Sequence, residues 1–236
     1  MSIIQGTAKS GGSTGEVYTY PIEDSLRFDG SSYLSRTFGN GGSTNTWTYS
    51  SWVKRSTLSS SAGEVLLFAG TVPDDDVYIY LSDTTDTLHY FDRGTGANVD
   101  SANKFRDVSA WYHFVVSLNT STTESIKFYV NGNLVTDFST STYSTSAQSI
   151  NSAEEHRIGN RFYVNDNMHF NGYMANIQFI DGQALNASYF GETIQDIWVP
   201  KEYTGSYGTN GFHLDFADSS NIGNDVSGNN NDWTVN

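Results

Sequence analysis

The sequence predicts an all-β protein, a two-sheet sandwich of many short strands with under about a tenth of its residues in helices. Tyr (15) and Phe (14) far outnumber Met (3), and Gly, Ser, Thr and Asn are abundant. That mixture suits strands and tight turns. Short runs that alternate apolar and polar residues recur along the chain. The clearest helical signal is one short turn, where Asn186 can cap residues 187–190.

The first half of the chain contains a series of strand-like runs. Each run either alternates in polarity or is rich in aromatic and β-branched residues, and each ends at Gly or at a polar turn. The segment 82–86 is a polar loop that would join two of them as a strand pair. The runs are residues 25–30, 46–53, 64–70, 77–81 and 87–91.

The clearest supersecondary signal is a hairpin in the middle of the chain. Residues 126–130 (IKFYV) place apolar side chains on one face and polar ones on the other. Asn131 and Gly132 follow, a pair that favours a type I′ turn because both of its central residues need positive φ. The sequence therefore predicts a two-residue turn flanked by Val130 and Asn133.

The order of the motifs resembles that of a known family. They are SLRFDGSSYLS (25–35), YSSWVKRS (49–56), WYHFVVSL (111–118), IKFYVNGNLV (126–135), HRIGN (156–160) and FNGYMANIQFIDGQAL (170–185). In this order they are similar to the laminin-G-like, concanavalin A-like family over about residues 22–190. The resemblance implies a two-sheet jelly roll. It implies less about function, since one fold hosts many activities.

The end of the chain carries a second resemblance. Residues 225–233 (DVSGNNNDW) are similar to an element that opens many laminin-G-like domains, although here the element comes last. It either adds a closing strand to the same sandwich or begins a lost second module, and the chain length favours closure. We therefore expect a flexible Gly/Ser-rich arm at residues 1–16 and a single jelly-roll domain at 17–236, with 203–236 as a closing extension.

Charge and composition exclude several classes of protein. Twelve basic and 26 acidic residues give a net charge of −14, the wrong sign for a nucleic-acid binder or for an anionic membrane surface. The chain has no cysteine, so disulfides and thiol chemistry are unavailable. It also shows no signal-peptide core and no apolar run long enough to span a membrane, which predicts synthesis and retention in a cytosol.

No catalytic constellation is apparent. Glucanases on this fold use acids spaced Glu-x-Asp-x-x-Glu, a spacing that does not occur here. Glu154 and Glu155 are adjacent, so on a strand they point to opposite faces. His113 lies in a strand-like run and is expected to be a hydrogen-bonded strand residue rather than a metal ligand or a base. The sequence predicts no catalytic residues and a protein that is not an enzyme.

Two candidate binding sites follow from residue types. Asp74, Asp75 and Asp76 form the one acidic run, and their oxygen ligands suit Ca²⁺, although a solvated turn that discourages edge pairing is the favoured interpretation. Sugar binding needs an aromatic platform with planar polar groups, for which Tyr is well suited at half-exposed positions. The candidates for a glycan are Tyr78, Tyr80, Tyr90, Tyr163 and Asp92.

Two functions remain open at this point. The Cys-free composition, the Gly/Ser arm and the terminal motif are similar to virion proteins of tailed phages, where such domains occur on capsid surfaces and in tail fibres. The first hypothesis is therefore a virion structural protein, assembled in the host cytoplasm, that contacts other virion proteins and its own copies. Ile3 and Ile4 in the arm would order against a neighbouring subunit. The alternative is a carbohydrate-binding module that recognises a host surface glycan, with or without Ca²⁺.

Overall fold

The computed structural model describes residues 20–58, 62–71, 74–161 and 168–236. The predicted arm at 1–16 and the candidate Tyr163 lie outside these ranges. Within them, strands alternate with turns, and the helical content is one 3-10 turn, Ala187–Tyr189. Among these residues no helix has the length and apolar character that crossing a bilayer requires. The prediction of an all-β fold is confirmed.

The strands are short and follow the predicted runs closely. In chain order they are β1 Leu26–Asp29, β2 Leu34–Thr37, β3 Thr46–Arg55, β4 Glu64–Thr71, β5 Asp75–Leu81, β6 Thr87–Asp92, β7 Asn98–Lys104, β8 Tyr112–Asn119, β9 Ile126–Val130, β10 Asn133–Leu134, β11 Phe138–Thr142, β12 Glu155–Ile158, β13 Asn171–Asp181, β14 Gly191–Ile194, β15 Ile197–Pro200, β16 Phe212–Leu214 and β17 Thr234–Val235.

Two antiparallel sheets form the sandwich. The first sheet has the order β1-β13-β3-β8-β9-β10, with β16 also paired to β13. The second sheet has the order β11-β7-β6-β5-β4-β12-β2-β17. Neighbours within each sheet are mostly distant in sequence, as in a jelly roll. The small hairpin β14–β15 stands apart from both sheets.

The core lies between the two sheets and is rich in aromatic side chains. Trp47 of the first sheet is fully buried and contacts Phe179, with ring centroids 5.8 Å apart, and Tyr90 of the second sheet, at 6.3 Å. Burying side chains of this kind stabilises the fold by about 2–3 kcal/mol each. Along each strand, the side chains that alternate toward this core are mostly the apolar ones, and their neighbours face the outside of the sandwich.

The predicted hairpin is confirmed. Val130 pairs with Asn133, and Asn131 and Gly132 have φ values of 46° and 83°. Gly132 is required for a second reason, because a Cβ placed there would lie 2.5 Å from the Trp198 ring. This turn thus serves both the hairpin and the packing of a distant tryptophan.

The C-terminal segment joins both sheets. Strand β16 pairs with β13 of the first sheet, and β17 pairs with β2 of the second. Between them, the Asp225 carboxylate accepts hydrogen bonds from the backbone N–H groups of His213, Ser227 and Asn231 at 2.8–2.9 Å. The motif at 225–233 therefore forms a compact loop that connects β16 of the first sheet to β17 of the second.

Residues 183–207, which we call the cover, pack on the outward face of the first sheet. The indole Nε1–H of Trp198 in the cover donates to His113 Nδ1 at 3.0 Å, so His113 carries its proton on Nε2 and donates to Ser50 Oγ at 2.9 Å. His113 also stacks on Trp52, with centroids 4.9 Å apart. Burial lowers the pKa of His113 to about 3. It is a neutral, hydrogen-bonded strand residue, as the sequence predicts.

Candidate functional site

Four ring-bearing side chains cluster on the outward face of the second sheet. Tyr78 and Tyr80 alternate outward on β5, and His89 and Phe91 do so on β6. The strand register pairs Tyr78 with Phe91 and Tyr80 with His89. The ring centroids are 5.0 Å apart for Tyr78–Tyr80, 5.6 Å for Tyr78–Phe91 and 4.7 Å for the stacked pair Tyr80–His89. We call these four residues the aromatic face.

A chain of hydrogen bonds fixes the polar edge of this face. Asn98 on β7 accepts from His89 Nε2 through Oδ1 at 2.5 Å, and His89 Nδ1 accepts from the Tyr80 hydroxyl at 2.7 Å. Burial raises the pKa of Tyr80, so its hydroxyl keeps its proton. Within the described ranges the side-chain N–H₂ group of Asn98 has no partner, and it is available to donate.

Asp100 extends the polar edge along β7. It pairs with His89 in the strand register and is partly exposed. Its Oδ1 accepts from Thr87 Oγ1 at 2.5 Å and its Oδ2 from Ser139 Oγ at 2.7 Å. These bonds hold the carboxylate in one orientation, with acceptor capacity remaining because each carboxylate oxygen has two lone pairs.

Arginines close the other end of the aromatic face. The fully buried carboxylate of Asp76 pairs with Arg93 Nε at 2.6 Å and with Arg161 Nη2 at 2.9 Å. The two guanidinium groups also lie over rings, Arg161 over Tyr78 at 4.6 Å and Arg93 over Phe91 at 5.6 Å. Cation–π contacts of this kind, together with the ion pairs, keep the rings in place.

The acidic run proposed for Ca²⁺ is divided by the structure. Asp74 and Asp75 are exposed, whereas Asp76 is buried against its two arginines. In the described part of the chain, no group of three or more His, Cys, Asp or Glu side chains is arranged to hold a metal ion. A calcium site at these residues stays a prediction.

The other predicted glycan contacts fall on both sides of the sheet. Tyr78 and Tyr80 lie together on the aromatic face. Tyr90 and Asp92 alternate to the opposite side, where Tyr90 is fully buried in the core. Asp92 is 1% exposed and accepts from the backbone N–H of Thr95 at 2.9 Å, and burial raises its pKa.

Sequence reasoning missed four residues of this site. The two-residue period and the predicted pairing of 77–81 with 87–91 signal the two residues on β6 once the register is known, because odd positions of the second run then lie opposite even positions of the first. The two residues on β7 carry no such signal, since residues 98–104 were not predicted as a strand. The residues are His89, Phe91, Asn98 and Asp100.

Comparison with known proteins identifies the fold. A family model described as the concanavalin A-like lectin/glucanases superfamily matches residues 28–188. No curated protein sequence matches the chain significantly.

Several solved structures share this architecture at low identity. A heptameric SAP-like pentraxin from Limulus polyphemus is 13% identical with a TM-score of 0.51, over 69% of this chain and 77% of that one. A putative carbohydrate-binding protein from Bacteroides ovatus is 14% identical with a TM-score of 0.61, over 89% of this chain but only 57% of the other. Domain 4 of a GH43 extracellular arabinanase from Geobacillus stearothermophilus, in complex with arabinotriose, is 18% identical with a TM-score of 0.55, over 71% and 74%. At these identities the likeness shows the fold alone.

Proposed function

The chain belongs to the concanavalin A-like lectin/glucanases superfamily, and on this premise we propose that it is a carbohydrate-binding domain whose aromatic face recognises a glycan. The observation that carries the proposal is the Tyr80–His89–Asn98 hydrogen-bond chain beside partly exposed rings. This arrangement combines an apolar platform with oriented polar groups at its edge. Sites for small polar ligands have this composition.

The chemistry of the face suits a sugar ring. The C–H groups of a pyranose or furanose pack on aromatic rings, while its hydroxyls need donors and acceptors at fixed positions. Asn98 supplies a donor, and Asp100 supplies acceptors held by Thr87 and Ser139. Because these groups are already oriented by hydrogen bonds, little conformational entropy is lost when a ligand binds.

The similar solved structures support the proposal without extending to this chain's ligand. One is described as a putative carbohydrate-binding protein, and another holds arabinotriose. Both use the same two-sheet architecture, although the superfamily also includes other functions. The composition of the aromatic face is therefore the stronger support.

We further propose that the domain binds glycans without cleaving them. Glycoside hydrolysis uses two carboxyl groups that flank the scissile bond, one of them as a proton donor. On this face Asp76 is paired with two arginines, and Asp100 accepts two hydroxyl hydrogen bonds. Both acids are thus engaged by arginines or by hydroxyl groups of the sandwich rather than free to flank a scissile bond. Incubation with any glycan that binds is expected to release no product.

The test is a glycan array followed by titration of the best binder. Replacing Asn98 with Ala removes the free amide donor and one end of the hydrogen-bond chain, so affinity should fall about tenfold, or about 1.4 kcal/mol. Asn103→Ala is the matched control, since Asn103 lies exposed on the same strand. Equal affinity for both variants, with both folded, would place the glycan elsewhere.

The biological setting proposed from the sequence is a tailed-phage virion. In this proposal the domain is a capsid decoration or a tail-fibre component that acts through contacts with other virion proteins and with its own copies. The net charge of −14 supports it, because like-charged copies stay soluble before assembly. A glycan-binding face and a virion location are compatible, since a decoration or fibre meets host surfaces.

Deleting residues 2–16 tests the assembly half of this proposal. The truncated chain is expected to keep its thermal transition, because the described sandwich begins after that segment, but to lose oligomerisation or virion incorporation. Solution mass and incorporation would be compared with those of the full chain. Normal assembly of the truncated chain would rule out a role for the arm.

A further inference from the structure

One edge of the second sheet is open to another strand. Strand β11 (Phe138–Thr142) ends this sheet, and in the described part of the chain it pairs with β7 alone. Four of its five residues are exposed. A strand in this position presents unpaired backbone N–H and C=O groups along its free side, to which a strand of another molecule can hydrogen-bond.

The other three sheet edges carry features that discourage such pairing. Strands β10 and β17 are only two residues long, and the four residues of β1 include Arg27 and Asp29. Short strands and charged side chains are common protections of a sheet edge. Strand β11 lacks the second protection, because residues 138–153 contain no charged residue and no proline in a chain whose net charge is −14. It is therefore the edge best suited to pairing.

The side chains of β11 suit a second copy of the same strand. Ser141 pairs with the buried Val99, so it points toward the inside of the sandwich. Thr140 and Thr142 pair with partly exposed residues of β7 and point outward. In an antiparallel pair centred on Ser141, the two serines lie opposite each other and each Thr140 lies opposite a Thr142. Cross-strand pairs of Thr with Thr or Ser stabilise a sheet, and no like charges oppose each other in this register.

An apolar groove beside β11 adds surface to the same contact. It has a volume of about 340 Å³ and is lined by residues of β9, β10 and β11, which lie at one side of the sandwich. Leu134 in its lining is 48% exposed, and Phe138 and Tyr143 are partly buried there. A second copy paired to β11 covers this apolar surface, which favours association.

We infer that two copies of the chain associate through β11 and join their second sheets into one continuous sheet. The two-fold axis passes beside Ser141, so the same patch contributes on both copies, as in most soluble dimers. The two Asp100 carboxylates, one strand in from each edge, lie roughly three strand spacings or 14 Å apart, and the two Asp137 residues roughly 26 Å apart. Both separations exceed the Debye length of about 8 Å at physiological ionic strength, so the acidic charge does not prevent pairing.

The dimer places both aromatic faces on one side. An axis perpendicular to the shared sheet keeps the two outward faces together, and the two β6 strands lie five strand spacings, about 24 Å, apart. If the aromatic face binds a glycan, the dimer binds a dense glycan surface at two points, and its apparent affinity rises without any new contact. Only this consequence rests on the proposed function, because the interface itself forms without a glycan.

The test measures the mass of the full chain by analytical ultracentrifugation between about 10 μM and 1 mM. We expect a dimer that dissociates on dilution. Ser141→Lys places an inward-pointing charge on the edge strand and should weaken dimerisation by about tenfold or more. Ser219→Lys is the matched control and should dimerise as the wild type does, since Ser219 is exposed in the loop between β16 and β17.

A mixture of two variants separates loss of the interface from misfolding. Ser141→Glu alone should also fail to dimerise, because two like charges meet at the axis. Mixed with Ser141→Lys, it should form a heterodimer, since the facing charges are then opposite. A wild-type chain that stays monomeric at every concentration would overturn the inference, and so would mixed variants that do not associate.

The same measurement distinguishes this interface from a contact made by the arm. Deleting residues 2–16 should leave the β11 dimer in place, because the arm then serves only contacts beyond it. If the deletion abolishes the dimer and Ser141→Lys does not, the arm is the occupant of the interface and the inference is wrong. Neither readout uses a glycan, so failure of the aromatic face to bind one leaves this test unchanged.

Discussion

The two outward faces of the sandwich differ in how far other segments of the chain cover them. On the first sheet the cover buries a tryptophan and a histidine, and Trp198, His113 and Trp52 stack as one unit. On the second sheet Tyr80, His89 and Phe91 stay partly exposed. Aromatic and histidine side chains are therefore covered on one face and partly exposed on the other. Coverage by another segment, rather than residue type, makes the difference.

The largest expected effect comes from removing the tryptophan that anchors the cover. Trp198→Ala deletes the ring that contacts His113 and lies against Gly132 and Gly191. Because Trp198 is partly exposed, the loss in unfolding free energy should be near the lower end of values for such truncations, about 3 kcal/mol. Urea unfolding would measure it. If Trp198→Ala lowered the unfolding free energy less than Tyr80→Ala does, this would contradict the expectation that the covered face contributes more to stability than the open face.

The turn beneath Trp198 should show the next largest effect. Gly132→Val places a β-branched residue at a φ of 83° and pushes a Cβ to within 2.5 Å of the indole. The two penalties together should lower the unfolding free energy by about 2 kcal/mol. Gly182→Val is a useful control, since Gly182 has the same φ but open space around its Cβ position. Equal losses for both variants would mean that the indole contact contributes little.

The buried His113 predicts that the stability of the fold depends on pH. The pKa of His113 falls from 6.5 to about 3 in the folded chain, so between those pH values only the unfolded chain binds the proton. Its contribution to stability is present above the unfolded pKa and decreases as the pH falls below it. At pH 5.5 the loss relative to pH 7.5 should be about 1.4 kcal/mol.

The measurement compares wild type with His113→Gln at both pH values. Burial also lowers the pKa of His156 to about 4, and burial raises the pKa of Glu64 to about 6, an effect of opposite sign. The difference between the two proteins therefore isolates His113. If the unfolding free energies of the two proteins changed equally with pH, His113 would not have the lowered pKa that its burial predicts.

The smallest effect is expected on the open face. Tyr80→Phe removes a hydroxyl that donates to His89 but leaves the ring packing intact. Because water can replace the lost partner at a partly exposed site, the unfolding free energy should change by less than about 1 kcal/mol. Thermal unfolding would detect a larger change, which would indicate that the hydrogen-bond chain serves the fold rather than a ligand.

Local sequence patterns were sufficient for much of the fold. The hairpin at Asn131-Gly132 follows from backbone conformations that few residues adopt, and the strands follow from a period of two, which depends only on near neighbours. For the candidate site the patterns were less complete. Tyr78 and Tyr80 could be chosen by residue type, but Tyr90 and Asp92 could not be separated from His89 and Phe91 without the register of β6.

The all-β class, the hairpin and the inward face of most strands were determined locally, because φ preferences and alternation act within a few residues. The tertiary structure decided which outward face stays open, since the cover reaches His113 from 85 positions away. It also placed the Asp76 carboxylate between Arg93 and Arg161. Such contacts depend on how sheets and loops pack in three dimensions. A local sequence pattern does not specify which residues that are distant in the chain come together.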